Sequence, residues 1–360
     1  MKTSLASEIP VAVSRADFDA MLHFSRTVFQ LKDNNAYLSQ LCERLPQTAH
    51  IQADWPSVLM GFDFHLTDNG PKLIEINNNA GGLYIGDGRW LPQPDISELH
   101  GALASRLMAM FPPDWATIAI MDEDVTGQFM YPEMQAYADL LRKDGRNVMV
   151  VSPEDLQSNE NGLSCDGVHI DAIYNRHTDF YLESEAVAHI RHAYEKGLLA
   201  LNPHPRSYAL IGDKSRMVDW WRQGLLESCV AQSAVEQIRV VTPETHRLSE
   251  LDRDQAWAER KQWVFKPAAR HGGKGVLLGK AMSRKRFEAL DIAETIVQRL
   301  VPASEVDVQG HDGKKNHMKL DIRLYMHGET LIALAGRVWL GQLTNFRQPG
   351  SGWIALNIEP

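Results

Sequence analysis

Two groups of residues have types and spacings suited to chemistry, and they lie at opposite ends of the chain. The first is Lys266-Pro267-Ala268-Ala269-Arg270-His271-Gly272-Gly273-Lys274-Gly275, entered from the apolar run Trp263-Val264-Phe265. Glycines let backbone N–H groups approach phosphate closely and tolerate positive φ. A lysine at the end of the preceding strand neutralises phosphate charge. The spacing is neither GxxxxGK[ST] nor GxGxxG, so this is not a P-loop or a dinucleotide fingerprint. Taken alone, it reads equally as a plain glycine-rich hairpin turn. The second group is Gly61-Phe62-Asp63-Phe64-His65 together with Glu75-Ile76-Asn77-Asn78-Asn79-Ala80-Gly81-Gly82. Glu75 and Asn77 are two apart and so share one face of a strand. A strand pairing beside them brings Asp63 alongside. Such hard oxygen donors suit Mg²⁺, which binds through few carboxylates plus waters and substrate phosphates. Ile74 and Ile76 are the apolar partners of the alternation, so Glu75 and Asn77 face something polar, either solvent or a site.

Further residues follow the glycine-rich turn. The apolar strand through Gln298, Leu300 and Val301 leaves into a polar loop holding Glu305. Such a strand can offer backbone groups to an adenine edge and a carboxylate to a ribose. In Lys319-Leu320-Asp321-Ile322-Arg323-Leu324-Tyr325, the residues Asp321, Arg323 and Tyr325 share a strand face. The next strand ends near Arg337, and Asn345 comes after it. Two arginines on neighbouring strands suit a transferring phosphoryl group and a substrate carboxylate. Surface ion pairing is the commoner fate of any single arginine.

These residues need elements to hold them. Apolar spacing over 17–44 predicts helix, with Phe18, Met21, Leu22, Val28 and Phe29 on one face. Segments 58–64 and 72–76 read as strands joined by a turn at 67–71 that contains Asn69-Gly70, a strong hairpin signal. A helix is expected over 96–111, and Pro112-Pro113 marks a boundary. The apolar run 117–121, a helix over 132–143, strands at 147–151 and 167–174 and a helix over 186–196 alternate as in a small open α/β unit. Its strands are followed by Asp122, Ser152 and Asn175-Arg176-His177, and ligands of such sheets lie beyond the carboxyl ends of strands. After a helix-rich connector, strands are expected at 263–267, 275–279, 296–301, 319–327 and 330–339, with a short helix over 283–290.

The 360 residues suffice for two or three domains. Hydrophobic residues make up 44% and charged ones 23%, ordinary for a globular protein, and no apolar stretch is long enough to span a membrane. The N-terminus lacks the apolar core of a signal peptide. Cys42, Cys165 and Cys229 are isolated and odd in number, which fits a reducing, cytoplasmic setting. A formal charge of −9 argues against nucleic acid as a partner. The histidines include His65, His177 and His204, none of them in HExxH or paired spacing, which argues against a metal hydrolase.

Taken together, the motifs resemble the ATP-grasp superfamily. Its members show a Lys before a Gly-rich loop, an adenine-hinge strand, a D-x-R strand, an Arg strand, an Asn, and last a G-x-D…E-x-N metal motif. Here Lys266, Gly272-Gly273-Lys274-Gly275, Gln298 to Val301, Asp321-x-Arg323, Arg337 and Asn345 occur in that order. The final motif stands instead near the N-terminus, as Asp63 and Glu75-x-Asn77. The order is similar to circularly permuted ATP-grasp proteins related to glutathionylspermidine synthetase, although neither an amidase domain nor a glutathione-specific signature is recognisable. The resemblance implies a permuted ATP-grasp fold of mixed α+β and α/β character. Residues 1–112 would be the permuted C-terminal part, 113–206 a small open α/β pre-ATP-grasp-like domain, 207–310 the nucleotide lobe and 311–360 the remaining strands, packing with 1–112.

It further implies ATP and Mg²⁺ as cofactors and small-molecule carboxylate and amine substrates, without nucleic acid or membrane; a homodimer stays open. By this resemblance Asp63, Glu75 and Asn77 would hold the metal. Lys214, Lys266 and the loop would hold phosphate, with Lys214 the counterpart of a further family lysine. The local sequence Gly212-Asp213-Lys214-Ser215 reads equally as a helix N-cap with an exposed lysine. Gln298, Leu300, Val301 and Glu305 would line the nucleoside. Arg323, Arg337 and Asn345 would be catalytic, and residues 270–274 would close as a lid. The implied reaction is ATP-dependent ligation of a small carboxylic acid, amino acid or peptide to an amine or thiol through an acylphosphate. The alternative is an ATP-binding regulatory or degenerate member without ligase turnover.

Overall fold

The apolar stripe that begins at Phe18 forms one helix, Arg15–Leu31, whose N-terminus is capped by Ser14 accepting from the Asp17 N–H. It ends earlier than the stripe suggests. Lys32-Asp33-Asn34 breaks the run, and the Asn34 side chain caps a second helix, Asn35–Leu41. The computed structural model describes residues 6, 7, 9–83, 102–268, 275–309, 313, 315–342 and 350–359. Gly272, Gly273, Lys274, Asn345 and the rest of the expected lid at 270–274 lie outside the described residues.

Strands Met60–Thr67 and Gly70–Asn77 form the expected hairpin around Asp68-Asn69. They are not an isolated ribbon. Met60–Thr67 pairs antiparallel with Lys315–His327, which pairs with Thr330–Trp339, which pairs with Gly352–Ile354. Ser304–Gln309 adds to the free part of Lys315–His327, making six strands. Strand alternation puts Phe62, Phe64, Ile76, Ile322, Leu324, Leu334 and Val338 into one core with Phe18, Phe24, Val28 and Phe29 of the first helix. Burial of such side chains contributes about 1.5–3 kcal/mol each. The opposite face divides in two. Tyr325, Ala333, Ala335 and Trp353 pack against Ile118, Ile120, Met134, Tyr137 and Tyr174 of the α/β region. The rest of that face is polar.

In the α/β region, strands Ala200–Asn202, Ala172–Asn175, Thr117–Met121 and Asn147–Val151 lie side by side in that order, all parallel. The single strand expected over 167–174 is two elements. Val168–Ile170 turns back on Gly162–Cys165 through Asp166-Gly167, both at positive φ, and Ala172–Asn175 then enters the parallel sheet. Asp-Gly at positive φ is a favoured two-residue hairpin turn. Strands Thr245–Arg247, Thr295–Arg299, Trp263–Pro267 and Leu277–Leu278 form a separate antiparallel sheet. Its own small core holds Leu248, Trp263, Phe265, Phe287 and Val297. Of the helix expected over 96–111, the described residues contain Leu103–Met108. Near the termini, Val11–Ser14 pairs parallel with Leu356–Glu359. No helix among the described residues is long and apolar enough to cross a membrane.

Candidate functional site

The polar face of the six-stranded sheet is assembled by register. Asp63 stands opposite Arg323 on one side and Glu75 on the other, Gly61 opposite Asn77, and Asp321 opposite Arg337. Directly opposed residues share a face, so residues separated by some 260 positions meet. Gly61 is needed here for space, because a Cβ would lie 2.8 Å from the Ala80 Cβ and 3.1 Å from Arg323 Nε.

The centre of this face is an ion network with almost no solvent access. Arg323 grips Asp63 in two places, Nε to Oδ1 at 2.6 Å and Nη2 to Oδ2 at 2.7 Å. Arg337 Nη2 lies 2.8 Å from Asp63 Oδ2. The same guanidinium donates to both oxygens of Asp321, at 2.5 and 2.8 Å. Asn77 Nδ2 donates to Asp63 Oδ2 at 3.0 Å, and its Oδ1 accepts no hydrogen bond among the described residues. Burial pushes the Asp63 carboxyl up, but Arg323 and Arg337 outweigh it and hold the group below the usual aspartate range. Burial would likewise release the Arg323 proton, and Asp63 reverses that, raising the guanidinium further. Of the three predicted metal ligands, Asp63 thus has both oxygens engaged by arginines, whereas Glu75 and Asn77 offer oxygens. Among the described residues no group of three or more His, Cys, Asp or Glu forms an all-protein metal cluster.

The two predicted lysines arrive from other elements. Lys214 Nζ lies 3.5 Å from Glu75 Oε1. Lys266 Nζ donates to Gln298 Oε1 at 2.6 Å and to the Ile74 carbonyl at 3.0 Å. Burial lowers the Lys266 ammonium to about 8, Glu75 opposing and Lys214 reinforcing the shift. The strand that feeds the glycine-rich turn therefore lies against the Glu75 strand. Gly275, the described end of that turn, has φ of +81°. Gln298, predicted beside the nucleotide, has its amide bound inside the protein: Oε1 to Lys266, and Nε2 to Thr245 Oγ1 and Met217 Sδ. Leu300 donates its N–H to the Gln262 carbonyl, and the Val301 carbonyl accepts from His65 Nδ1. Glu305 is exposed and pairs with His317 at 3.0 Å.

Beyond the carboxyl ends of the parallel strands stand Asp122, Asn175, Arg176 and His177. The chain runs from strand Thr117–Met121 to one neighbour first and to the other later, so the crevice between Thr117–Met121 and Ala172–Asn175 is the topological switch point. Burial raises the Asp122 carboxyl to about 6, against the pull of Arg176. The Asn175 Nδ2 is buried without a hydrogen-bond partner. Arg176 donates to the Tyr174 hydroxyl within the sheet at 3.1 Å and reaches out of it to Asn79 Oδ1 and to the Ala80 carbonyl at 3.4 Å. Sequence reasoning placed residues 175–177 at a strand end but missed that Arg176, with Glu133, holds the loop after Asn77. The only signal for this was a strand-end arginine. A cavity of about 320 Å³ elsewhere, lined by Phe29, Trp55, His204, Arg206 and Ser207 among others, includes none of the predicted site residues.

No family model matches the chain, and no curated protein matches it. Among solved structures, a glutathione synthetase-like effector from Globodera pallida, in its apo form, superposes with a TM-score of 0.61 at 11% identity, over 98% of this chain and 90% of its own. A proposed gamma-glutamylcysteine synthetase from Methylobacillus flagellatus KT reaches 0.49 at 13% identity, over 89% of this chain and 84% of its own. The ATP-grasp ligase PsnB, complexed with a minimal precursor, Mg and ADP, reaches 0.34 at 14% identity, over 68% and 89%. These last two overlap too loosely to bear on the fold. The first shows it: over nearly its whole length this chain shares the mixed α and β fold of that glutathione synthetase-like effector. Identity this low carries the fold and not the activity.

Proposed function

We propose that this protein is an ATP-dependent, ADP-forming ligase that joins a small carboxylic acid, amino acid or peptide to an amine or thiol. The observation that carries the reading is the convergence, on one buried sheet face, of Arg323, Arg337, Lys214 and Lys266 with the oxygens of Glu75 and Asn77. That donor set fits a nucleotide triphosphate with Mg²⁺. The metal takes few protein oxygens and shares phosphates, as a site with one available carboxylate and one amide oxygen requires. Glu75 and Asn77 would hold it, and it would supply charge neutralisation at the β- and γ-phosphates. We assign Asp63, predicted with them as a ligand, the task of orienting both arginines.

Lys214 and Lys266 bind phosphate oxygens of ATP. The Leu300–Val301 segment, steadied by His65, borders the base. Arg323 and Arg337 orient the substrate carboxylate, whose oxygen attacks the γ-phosphorus as the bond to ADP breaks. The acylphosphate so formed is attacked by the amine, phosphate leaves, and the amine gives up a proton. Positioning and charge neutralisation dominate such chemistry. The order of motifs we read as a circular permutation. In support, strands 60–67 and 70–77 complete the sheet of 315–339, and the segments near the two termini pair, an arrangement in which permutation is physically tolerable.

The test is incubation with ATP, Mg²⁺ and pooled amino acids or short peptides, with hydroxylamine present in a parallel sample. ADP and phosphate release that requires two co-substrates, and a hydroxamate in the trap, support the ligase. Glu75→Ala should abolish Mg²⁺-dependent turnover while leaving the melting curve in place, since the change opens no core cavity. ATP binding without turnover under all conditions would instead favour a regulatory or degenerate ATP-grasp protein.

A further inference from the structure

One peptide group joins the six-stranded sheet to the α/β region. The Gly81 carbonyl accepts from Arg323 Nη1 at 3.2 Å and from the Tyr325 hydroxyl at 3.1 Å. The N–H of that same peptide, on Gly82, donates to both oxygens of Glu133, at 2.9 and 3.0 Å. Glu133 belongs to helix Tyr131–Lys143 of the α/β region and is buried, as is Arg323. Carboxylate, peptide dipole and guanidinium thus stand in series, and in a water-poor interior each polarises the next. The neighbouring residues are gripped as well: Arg176 binds Asn79 and the Ala80 carbonyl, and its Nη2 lies 3.8 Å from Glu133 Oε2. The peptide has no room to move. A Cβ on Gly81 would lie 2.8 Å from Met130 Cε and 2.9 Å from Arg176 Nη2, and one on Gly82, at φ +93°, would collide with Trp353.

We propose that Glu133 is a positioning residue for Arg323, acting through the Gly81–Gly82 peptide, so that the α/β region sets the orientation of the guanidinium at the reacting centre. This rests on the reading of Arg323 as a group that touches the substrate carboxylate and the transferring phosphoryl. Asp63 holds one edge of the Arg323 fork, through Nε and Nη2. The Gly81 carbonyl holds the other, through Nη1. With the second anchor loosened, the fork tilts about its Asp63 edge. A charged, two-oxygen acceptor for the Gly82 N–H is what Glu133 supplies; a residue that served only the fold would be indifferent to the state of Arg323.

Glu133→Gln keeps the size and one acceptor but removes the charge. It is compared with Arg323→Lys and the double variant, by ADP release with ATP, Mg²⁺ and pooled amino acids. Glu133→Gln should lower kcat about tenfold with the KM for ATP unchanged. It should cost little more in the Arg323→Lys background, a coupling of about 2- to 100-fold between side chains that are bridged by a peptide. Fully additive effects would overturn the proposal. A second readout does not need turnover. The Arg323 Nη1–H resonance, assigned by its loss in Arg323→Lys, should exchange with solvent about tenfold faster in Glu133→Gln, as local opening increases. If the wild-type chain turns over no ATP, the ligase reading fails, and this exchange rate alone decides whether Glu133 positions Arg323. Unchanged exchange overturns it. Should Glu133→Gln not fold, Glu133→Asp keeps the charge but shortens its reach to the Gly82 N–H, and should accelerate the same exchange; an unaltered rate there is equally decisive against the proposal.

Discussion

Asp63→Asn separates a counter-ion from a metal ligand. In the structure the Asp63 carboxylate meets three guanidinium nitrogens, at 2.6, 2.7 and 2.8 Å, and the Asn77 amide at 3.0 Å. Asp63 is 2% exposed, Arg323 7% and Arg337 8%. Asparagine matches aspartate in size, so the change makes no cavity and the loss is electrostatic. Removing one partner from a buried ion pair costs about 3–5 kcal/mol, because the other charge stays buried without compensation. Arg337 keeps Asp321 at 2.5 and 2.8 Å. The unbalanced charge therefore falls on Arg323, and the lower end of that range, about 3 kcal/mol, is expected. At about 2–4 °C for each kcal/mol in a domain of about 200 residues, Tm should fall on the order of 6–12 °C. The assay is a thermal melt by circular dichroism in EDTA without nucleotide, repeated as urea unfolding. A metal ligand would behave in the opposite way: no change in EDTA, and a higher Mg²⁺ requirement for turnover. A melt within about 1 °C of wild type, together with a displaced Mg²⁺ titration, would refute the assignment of Asp63 to the arginines.

Arg323→Lys keeps the charge but loses the fork, so turnover should drop by about two to three orders of magnitude, as on removing one donor to a transition-state charge. ATP affinity should scarcely move, and weakened ATP binding at unchanged turnover would place Arg323 on the nucleotide instead. Lys266→Met should stabilise the protein without ATP and weaken ATP binding. Burial holds the Lys266 ammonium at about 8, below its unfolded value, so its favourable contribution exists only at high pH and is lost as pH falls through about 8. At neutral pH the buried charge costs about 3 kcal/mol, at about 1.4 kcal/mol for each tenfold change in proton affinity; a lower Tm for Lys266→Met would contradict this. His204 is buried, donates through Nε2 to the Trp55 carbonyl and accepts at Nδ1 from the Ser207 N–H, and burial lowers its imidazolium to about 4. A group depressed on folding stabilises above its unfolded value, so Tm should decline as pH falls from the ordinary histidine range towards about 4. In His204→Gln that part of the decline should disappear, and an equally steep profile would assign the acid sensitivity to other groups.

What the sequence by itself determined is whatever local physics decides. Asn69-Gly70 demanded a tight hairpin, and strand period two set Ile76 against Glu75 and Asn77, so the carboxylate and amide had to face away from the core; Ile74, expected beside Ile76, instead falls at a register irregularity, and Leu73 takes the core position. The same period put Asp321, Arg323 and Tyr325 together. The helix break at Lys32-Asp33-Asn34 and the hairpin at Asp166-Gly167 were also written locally, the latter as a turn signal at the start of the run 167–174 that reads as one strand. The partner of Asp63 was a different matter. An aspartate on a polar strand face suits a metal ion and a guanidinium equally, and its residue type does not choose between them. The choice follows from register between strands 60–67 and 315–327, which sets Asp63 opposite Arg323 across a separation of 260 residues. Gln298 turned inward to Lys266 for the same reason, because neighbouring strands place Thr245 and Lys266 around its amide. Glu133 reads as an ordinary first-turn helix carboxylate in a sequence whose only local use for it is the helix dipole. Tertiary packing alone buried it against the Gly82 N–H, since no spacing rule relates a helix in one sheet's layer to a peptide that another sheet holds still.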